Sequence, residues 1–171
     1  SPIKTLLDNP NYSPREQAYL YFYLRRLTKP ETGEGAGGLP GVIEHLGNVK
    51  LPIAATFAVN QMELLFAYQR HEKNLTRLIT AANMVGGITG KQEQIFIIPY
   101  DMAGNTAEMK DFLNEIAKSA KAQEAKGTQL WLVGDAMSDF ISEAKSRGIT
   151  VKKNTLLLPH FAPGDTAKKG E

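Results

Sequence analysis

Three short apolar runs, separated by two helical patterns, constrain this chain more than any other feature. They are Ile95-Phe96-Ile97-Ile98, Leu130-Trp131-Leu132-Val133 and Thr155-Leu156-Leu157-Leu158. A run with no polar alternation suits a strand buried on both faces. Between the first two runs, Met109, Phe112, Leu113, Ile116 and Ala120 recur at helical spacing behind a cap at Thr106 or Asn105, with Gly127 as the stop. Between the second and third, Ser138 is the expected cap for Phe140, Ile141 and Ala144, and Gly148 closes the segment. The order β-α-β-α-β with short connections predicts an α/β sheet covered by helices. The first two strands are expected to be parallel, because a helix crosses between them. Trp131, flanked by leucines, is expected to be buried on that sheet.

The N-terminal half has a different rhythm. Ser13-Pro14-Arg15-Glu16 has the form of a capping box, with Pro14 at the first helical position. The helix it opens should reach Thr28. It carries Tyr19-Leu20-Tyr21-Phe22-Tyr23-Leu24, a run that covers more than one helical face. Such a stripe either packs into the chain's own core or meets another protein. Residues 29–41, rich in Gly and Pro, are expected to form a flexible loop or linker, and 42–52 is ambiguous. From 54 to 85, Phe57, Leu64, Leu65, Tyr68, Leu75, Leu78, Ile79 and Ala82 predict one long helix, stopped by Gly86-Gly87.

Composition excludes several chemistries. The chain of 171 residues has no Cys, so dithiol exchange, thiolate nucleophiles and zinc-thiolate sites are ruled out. Its 20 basic and 18 acidic residues balance to a formal charge of +2, which predicts no nucleic-acid-binding or membrane-surface face. No apolar run approaches the roughly 18 residues of a membrane span. The segment Gly86-Gly87-Ile88-Thr89-Gly90-Lys91 is not a phosphate loop. Its spacing is one residue short, Gln92 replaces the hydroxyl residue, and it precedes a strand. His45, His71 and His160 lack metal-ligand spacing, so no metal, cofactor or catalytic residue is assigned. Asp101 and Asp135 each follow a predicted strand. They could bind a cation or do acid–base work there, or simply cap turns.

The stretch 92–158 resembles the thioredoxin family. Ile95-Phe96-Ile97-Ile98 leads into Ala103-Gly104-Asn105-Thr106, where thioredoxins carry Cys-Gly-Pro-Cys, and then into a helix. Further on, Gly148-Ile149 and Asn154-Thr155-Leu156-Leu157-Leu158 stand where thioredoxins have a Gly-Ile segment and a cis-proline before Thr-Leu-Leu-Leu. Ala103 and Thr106 replace both cysteines and Asn154 replaces the proline. The resemblance therefore implies a thioredoxin-like scaffold without redox activity, with a trans peptide before Asn154. It divides the chain into a helical N-terminal region (1–88), a thioredoxin-like domain (89–161) and a tail (162–171).

A helical region ahead of such a domain is similar to envelope proteins of conjugative type IV secretion systems. Leu64-Leu65-Phe66-Ala67-Tyr68-Gln69-Arg70 and Gly127-Thr128-Gln129-Leu130-Trp131-Leu132-Val133-Gly134 resemble proteins of integrating conjugative elements. The resemblance implies a non-catalytic interaction or assembly factor, periplasmic if a signal peptide has been removed and otherwise cytoplasmic. Envelope components of the transfer apparatus would be its protein partners, with self-association left open. Tyr19, Tyr21, Phe22 and Tyr23 are the candidate interface, together with the loops around Ala103–Thr106 and Asn154. The alternative is a small-molecule or cation-binding α/β enzyme using Asp101 and Asp135.

Overall fold

The computed structural model describes residues 2–29, 31–102, 104 and 106–155. Four helices come first: α1 (Pro2–Leu7), α2 (Pro14–Thr28), α3 (Leu39–Gly47) and α4 (Pro52–Glu72). The hairpin strands β1 (Leu75–Ala81) and β2 (Met84–Thr89) follow, then β3 (Glu93–Ile98), α5 (Ala107–Ala122), β4 (Gly127–Leu132), α6 (Ser138–Lys145) and β5 (Ile149–Lys152). The strands form one mixed sheet in chain order, β1-β2-β3-β4-β5. The first three are antiparallel neighbours, and β3-β4 and β4-β5 are parallel. The expected α/β class with an N-terminal helical extension is present, and so is the expected parallel pair β3 and β4.

The capping box forms as its residues require. Ser13 Oγ accepts from the Glu16 N–H at 3.1 Å, and Glu16 Oε1 accepts from the Ser13 N–H at 2.9 Å. The helix ends at Thr28, where Lys29 turns left-handed. Thr106 caps α5, accepting the Met109 N–H at 3.2 Å. Ser138 does not cap α6: Met137 holds that position without a side-chain bond, and Ser138 is the first helical residue.

The long helix expected over 54–85 is a correction. It stops at Glu72, where Lys73 adopts φ 54°. Leu75, Leu78, Ile79 and Ala82 fit helical spacing, but the β-branched Thr76, Ile79, Thr80, Val85 and Ile88 belong to a hairpin. Ala82 and Asn83 both have positive φ, 52° and 57°, as a two-residue turn of right-twisted strands requires. Gly86-Gly87 lies inside β2 and stops nothing. A Cβ on Gly86 would meet the Phe96 ring at 2.5 Å, so this glycine gives the ring its place across the ladder. A boundary at 88/89 is therefore also corrected: residues 75–89 are strands of the same sheet as β3, and Leu75, Leu78 and Val85 share one core with Ile95, Ile97 and the helices α1–α4.

Residues 35–38, expected to be a linker, are pinned. Gly37 bridges β1 at Arg77, with its N–H on Thr76 O at 2.9 Å and its C=O receiving the Leu78 N–H at 2.7 Å. Gly38 has φ 88°, and a Cβ there would strike the Leu78 carbonyl. Pro40 then sits in the first turn of α3, so the end of the expected loop is helical and the helix runs on into the stretch 42–52 that sequence left undecided. Of the strand expected at 155–158, Leu156–Leu158 lie outside the described residues, as do His160 and the tail 162–171; the described sheet also has β5 at Ile149–Lys152. Thr155 nonetheless lies beside β4, its N–H on Leu132 O at 3.0 Å. No peptide bond among the described residues is cis, and Asn154 adopts φ 55°.

The sheet is covered on both faces. Ile95 and Ile97 face α1–α4 with Leu20, Leu24, Met62 and Leu65. Phe96 and Ile98 face the other way, onto Leu113, Ile116 and Phe140 of α5 and α6. Each face also holds one buried amide. Gln61 of α4 donates to Ile97 O (3.1 Å) and accepts the Val85 N–H (2.8 Å). Gln94 donates to Ile116 O (3.1 Å) and Thr128 Oγ1 (3.2 Å) and accepts from Ser119 Oγ (2.6 Å).

Trp131 is half-buried instead of enclosed. From α4, the Tyr68 ring meets the indole edge-on at 5.2 Å. Lys152 lies 4.8 Å above the indole, and Nε1 donates to Gln129 at 2.8 Å.

Replacing Gln61 with Leu strips two buried backbone groups of their partners. Gln61→Leu is expected to destabilise the fold by about 2–4 kcal/mol, read as a lower denaturant midpoint at unchanged slope. An unchanged midpoint would show that the amide is dispensable.

Candidate functional site

The ends of β3 and β4 come first, because open α/β sheets favour ligands there. Beyond Ile98 the two chains stay paired. Val133 N–H donates to Ile98 O (3.0 Å), Met102 N–H to Asp135 O (2.9 Å) and Met137 N–H to Met102 O (3.1 Å). Asp101 Oδ1 accepts the Asp135 N–H at 2.8 Å. Asp135 Oδ1 accepts the Ala136 N–H at 2.8 Å and meets Lys153 Nζ at 3.3 Å. The Ala136 amide first, and Lys153 second, hold the Asp135 carboxyl below its ordinary range. The two carboxylates thus lie together but serve as turn caps. No group of three His, Asp or Glu among the described residues could hold a metal.

Of Ala103–Thr106, the stretch that the resemblance set against a redox turn, Gly104 has φ 100° and Thr106 caps α5. Ala103 and Asn105 lie outside the described residues. Asn154 is held near the same end, its N–H on Gly134 O at 2.8 Å.

The second surface is the outer face of α2. Leu20, Leu24 and Leu27, at i, i+4 and i+7, are buried and fill the core side. Tyr19, Tyr21 and Phe22 remain 39%, 59% and 42% exposed. Tyr23 differs from them. It is half-buried, against Phe66 at 5.5 Å and Phe22 at 5.6 Å. Burial pushes its phenol up to about 12, with Glu63 and Tyr19 adding to the shift. Tyr23 is thus a packing residue linking α2 to α4, which corrects its place in the expected interface.

The sequence reading missed the arginines. Arg15, Arg25 and Arg26 lie over the rings of Tyr19, Tyr21 and Phe22 at 5.4, 5.6 and 5.1 Å, and Arg70 over Phe66 at 5.8 Å. Arg15 also donates to Tyr19 Oη at 3.0 Å and Arg25 to Tyr21 Oη at 2.8 Å. Every pair is spaced i, i+4, and this spacing was the available signal.

Grooves flank this face. Towards α1 lies an apolar groove of about 410 Å3, lined by Ile3, Leu6, Leu7, Tyr21, Leu24 and Ile43 among others. Towards the C-terminal ends of α2 and α4 lies a cavity of about 900 Å3, lined by Phe22, Phe66, Arg26, Lys29, Arg70 and Lys73, with Glu34 on its border. On the far side of α4, His45 and Gln61 help line a cleft of about 610 Å3. Burial holds the His45 imidazole below its ordinary value, and both polar ends of the Gln61 amide are engaged by the sheet.

Comparisons with protein-family models, curated proteins and solved structures return no match.

Two outcomes are expected. Asp101→Ala should destabilise the β3–β4 end by about 1 kcal/mol, with Asp101→Asn, which keeps an acceptor, costing less; thermal melts of the two variants check the order. The second concerns Tyr23. Its phenol ionises at 10.0 ordinarily and at about 12 when folded. Its contribution is thus complete below pH 10 and lost as pH rises through 12. Tyr23→Phe should flatten the alkaline loss of stability, leaving the part carried by Tyr12 and Tyr68, which burial also raises.

Proposed function

We propose that this chain is a non-catalytic interaction or assembly protein that docks a protein partner through the outer face of α2. The observation that carries the reading is the exposure of Tyr19, Tyr21 and Phe22 on a helix whose Leu20, Leu24 and Leu27 already close the core. Tyr is suited to a half-wet contact, because its ring is apolar and its hydroxyl polar. The exposed Ile3 and Leu7 of α1 extend the apolar area beside it. The capping roles of Asp101 and Asp135 favour this reading over a carboxylate enzyme.

The setting in a conjugative transfer apparatus, with envelope components as partners and a periplasmic location, comes from the resemblance of 64–70 and 127–134. No helix among the described residues is long and apolar enough to cross a membrane, which accords with a peripheral role.

Tyr19→Ser and Tyr21→Ser should each change stability by no more than about 0.5 kcal/mol, as at surface sites, and Phe22→Ser by about 1 kcal/mol, because its ring also packs on Phe66 and Tyr23. They should also abolish self-association in sedimentation, or co-purification of envelope components from cells that carry the transfer apparatus. A monomeric wild type that captures the same components as all three variants would remove the reading.

A further inference from the structure

We infer that the partner segment bound at this face is acidic and apolar: carboxylates enter the cavity between the C-terminal ends of α2 and α4 while apolar side chains cover Tyr21 and the α1 groove. The inference rests on the interface reading above and names the chemistry of its occupant. The cavity is lined by Arg26, Lys29, Arg70 and Lys73, with Glu34 as the carboxylate on its border. An adjoining groove of about 540 Å3 adds Arg25 and Glu31 beside Tyr21 and Phe22. Tyr21 and Arg25 also line the apolar groove, so one extended or helical segment can reach both.

Arg25 and Arg26 stack over Tyr21 and Phe22 at 5.6 and 5.1 Å, and a guanidinium is the side chain that can fork onto a carboxylate. A planar cation stacked on a ring loses little freedom when its edge N–H groups bind an anion. The chain supplies its own example: Glu31 Oε1 meets Arg25 Nη2 at 3.2 Å, and the guanidinium helps hold the Glu31 carboxyl below its ordinary range, after that residue's own backbone bond. Glu31 and Glu34 thus occupy ground that a partner's carboxylates would take. They are competitors that set the affinity.

One observation favours a peptide over a nucleic-acid strand: the groove that Tyr21 and Arg25 share is lined mainly by apolar side chains, among them Ile3, Leu6, Leu7, Leu24 and Ile43, which suit apolar partner groups and leave a continuous phosphate backbone with few cations. The rings also meet edge-on, Phe22 with Phe66 at 72° and with Tyr23 at 74°, whereas bases stack on open faces.

The test uses the full chain and fluorescence anisotropy. The probes are a labelled peptide rich in Glu and Leu, the same peptide with Gln for Glu, and an oligothymidylate. The acidic peptide should bind, and weaken as salt rises to about 0.15 M. The Gln peptide should bind at least about tenfold more weakly, a difference of about 1.4 kcal/mol, and the oligothymidylate more weakly still. Arg26→Glu with Arg70→Glu should abolish binding. Should that pair unfold the protein, Glu31→Gln with Glu34→Gln remains decisive: removing the internal competitors should tighten the acidic peptide by about threefold, of the size of an exposed ion pair.

Equal binding of the Glu and Gln peptides, tighter binding of the oligothymidylate, or no gain in the Glu31→Gln/Glu34→Gln variant would overturn the inference. If the acidic peptide fails while Tyr21→Ser still abolishes partner capture, only this inference falls. If the peptide binds in a charge-dependent way while the ring variants keep every partner, the interface reading falls and the acidic site stands.

Discussion

The structure depends on two side-chain amides that tie β3 to the helices on its opposite faces, Gln61 reaching in from α4 and Gln94 reaching out from β3 itself. Pairing of β2 with β3 covers Gly87–Ile95 and Ile88–Gln94. Continuing that register would set Val85 opposite Ile97, and there the Gln61 amide takes the Val85 N–H and gives its own N–H to Ile97 O. The side chain thus serves as a peptide group spliced into the ladder. One turn along the other face, Gln94 engages the Ile116 carbonyl and Ser119 of α5 together with Thr128 of β4. A buried amide left unpaired costs far more than a paired one contributes. Each glutamine therefore fixes where its helix sits along the strand, which apolar packing alone would leave free to slide.

That fixing reaches the outer surface. The α4 helix is held to the sheet by Gln61, and Phe66 and Arg70 on its other side receive Tyr23, Phe22 and the cavity border. The position of α2 is set by its leucine stripe and by Tyr23. The aromatic and cationic groups of both helices are consequently presented on rigid elements, as a recognition surface requires. The chain from α1 to α2 is tied down in the same way: Asn9 donates to Gly47 O and Val49 O, and the Tyr12 hydroxyl to Leu46 O.

Some of this was legible in the sequence and some was not, for physical reasons. The capping box at Ser13 and the strands at 95–98 and 130–133 were readable because each is a local pattern with one meaning. The β1–β2 hairpin was not. Leu75, Leu78 and Ile79 satisfy helical spacing as well as strand burial on two faces, and the turn uses Ala82-Asn83 where Asn-Gly would have announced it. The two glycines of β2 take their meaning from Phe96, across the ladder, and not from their neighbours in the chain. Gln61 and Gln94 gave no signal, since a polar residue within a helix or strand normally faces water. On the candidate surface the aromatic stripe was visible, but its division was not. Burial between α2 and α4 separates Tyr23 from Tyr19, Tyr21 and Phe22, although Phe22 also meets Phe66. The four arginines went unread because even net charge hides a local excess.

The placement of the candidate surface follows from how the sheet ends are closed. The usual crevice of an open α/β sheet lies beyond the strand C-termini. Here the Met102–Ala136 bridge carries the β3–β4 pairing past the strands, and Asp101 fills the gap with a carboxylate committed to a loop amide. Asn154 closes the third side through Gly134 O. A groove that would otherwise gather polar groups around a substrate is thus consumed by backbone pairing. The exposed rings and the concentrated cations lie instead on the helical layer, where α2 needs only one of its faces for the core. The sheet ends thereby serve stability, and residues 2–72 are no mere appendage: among the described residues they supply about half the core and most of the exposed rings beside the grooves described above.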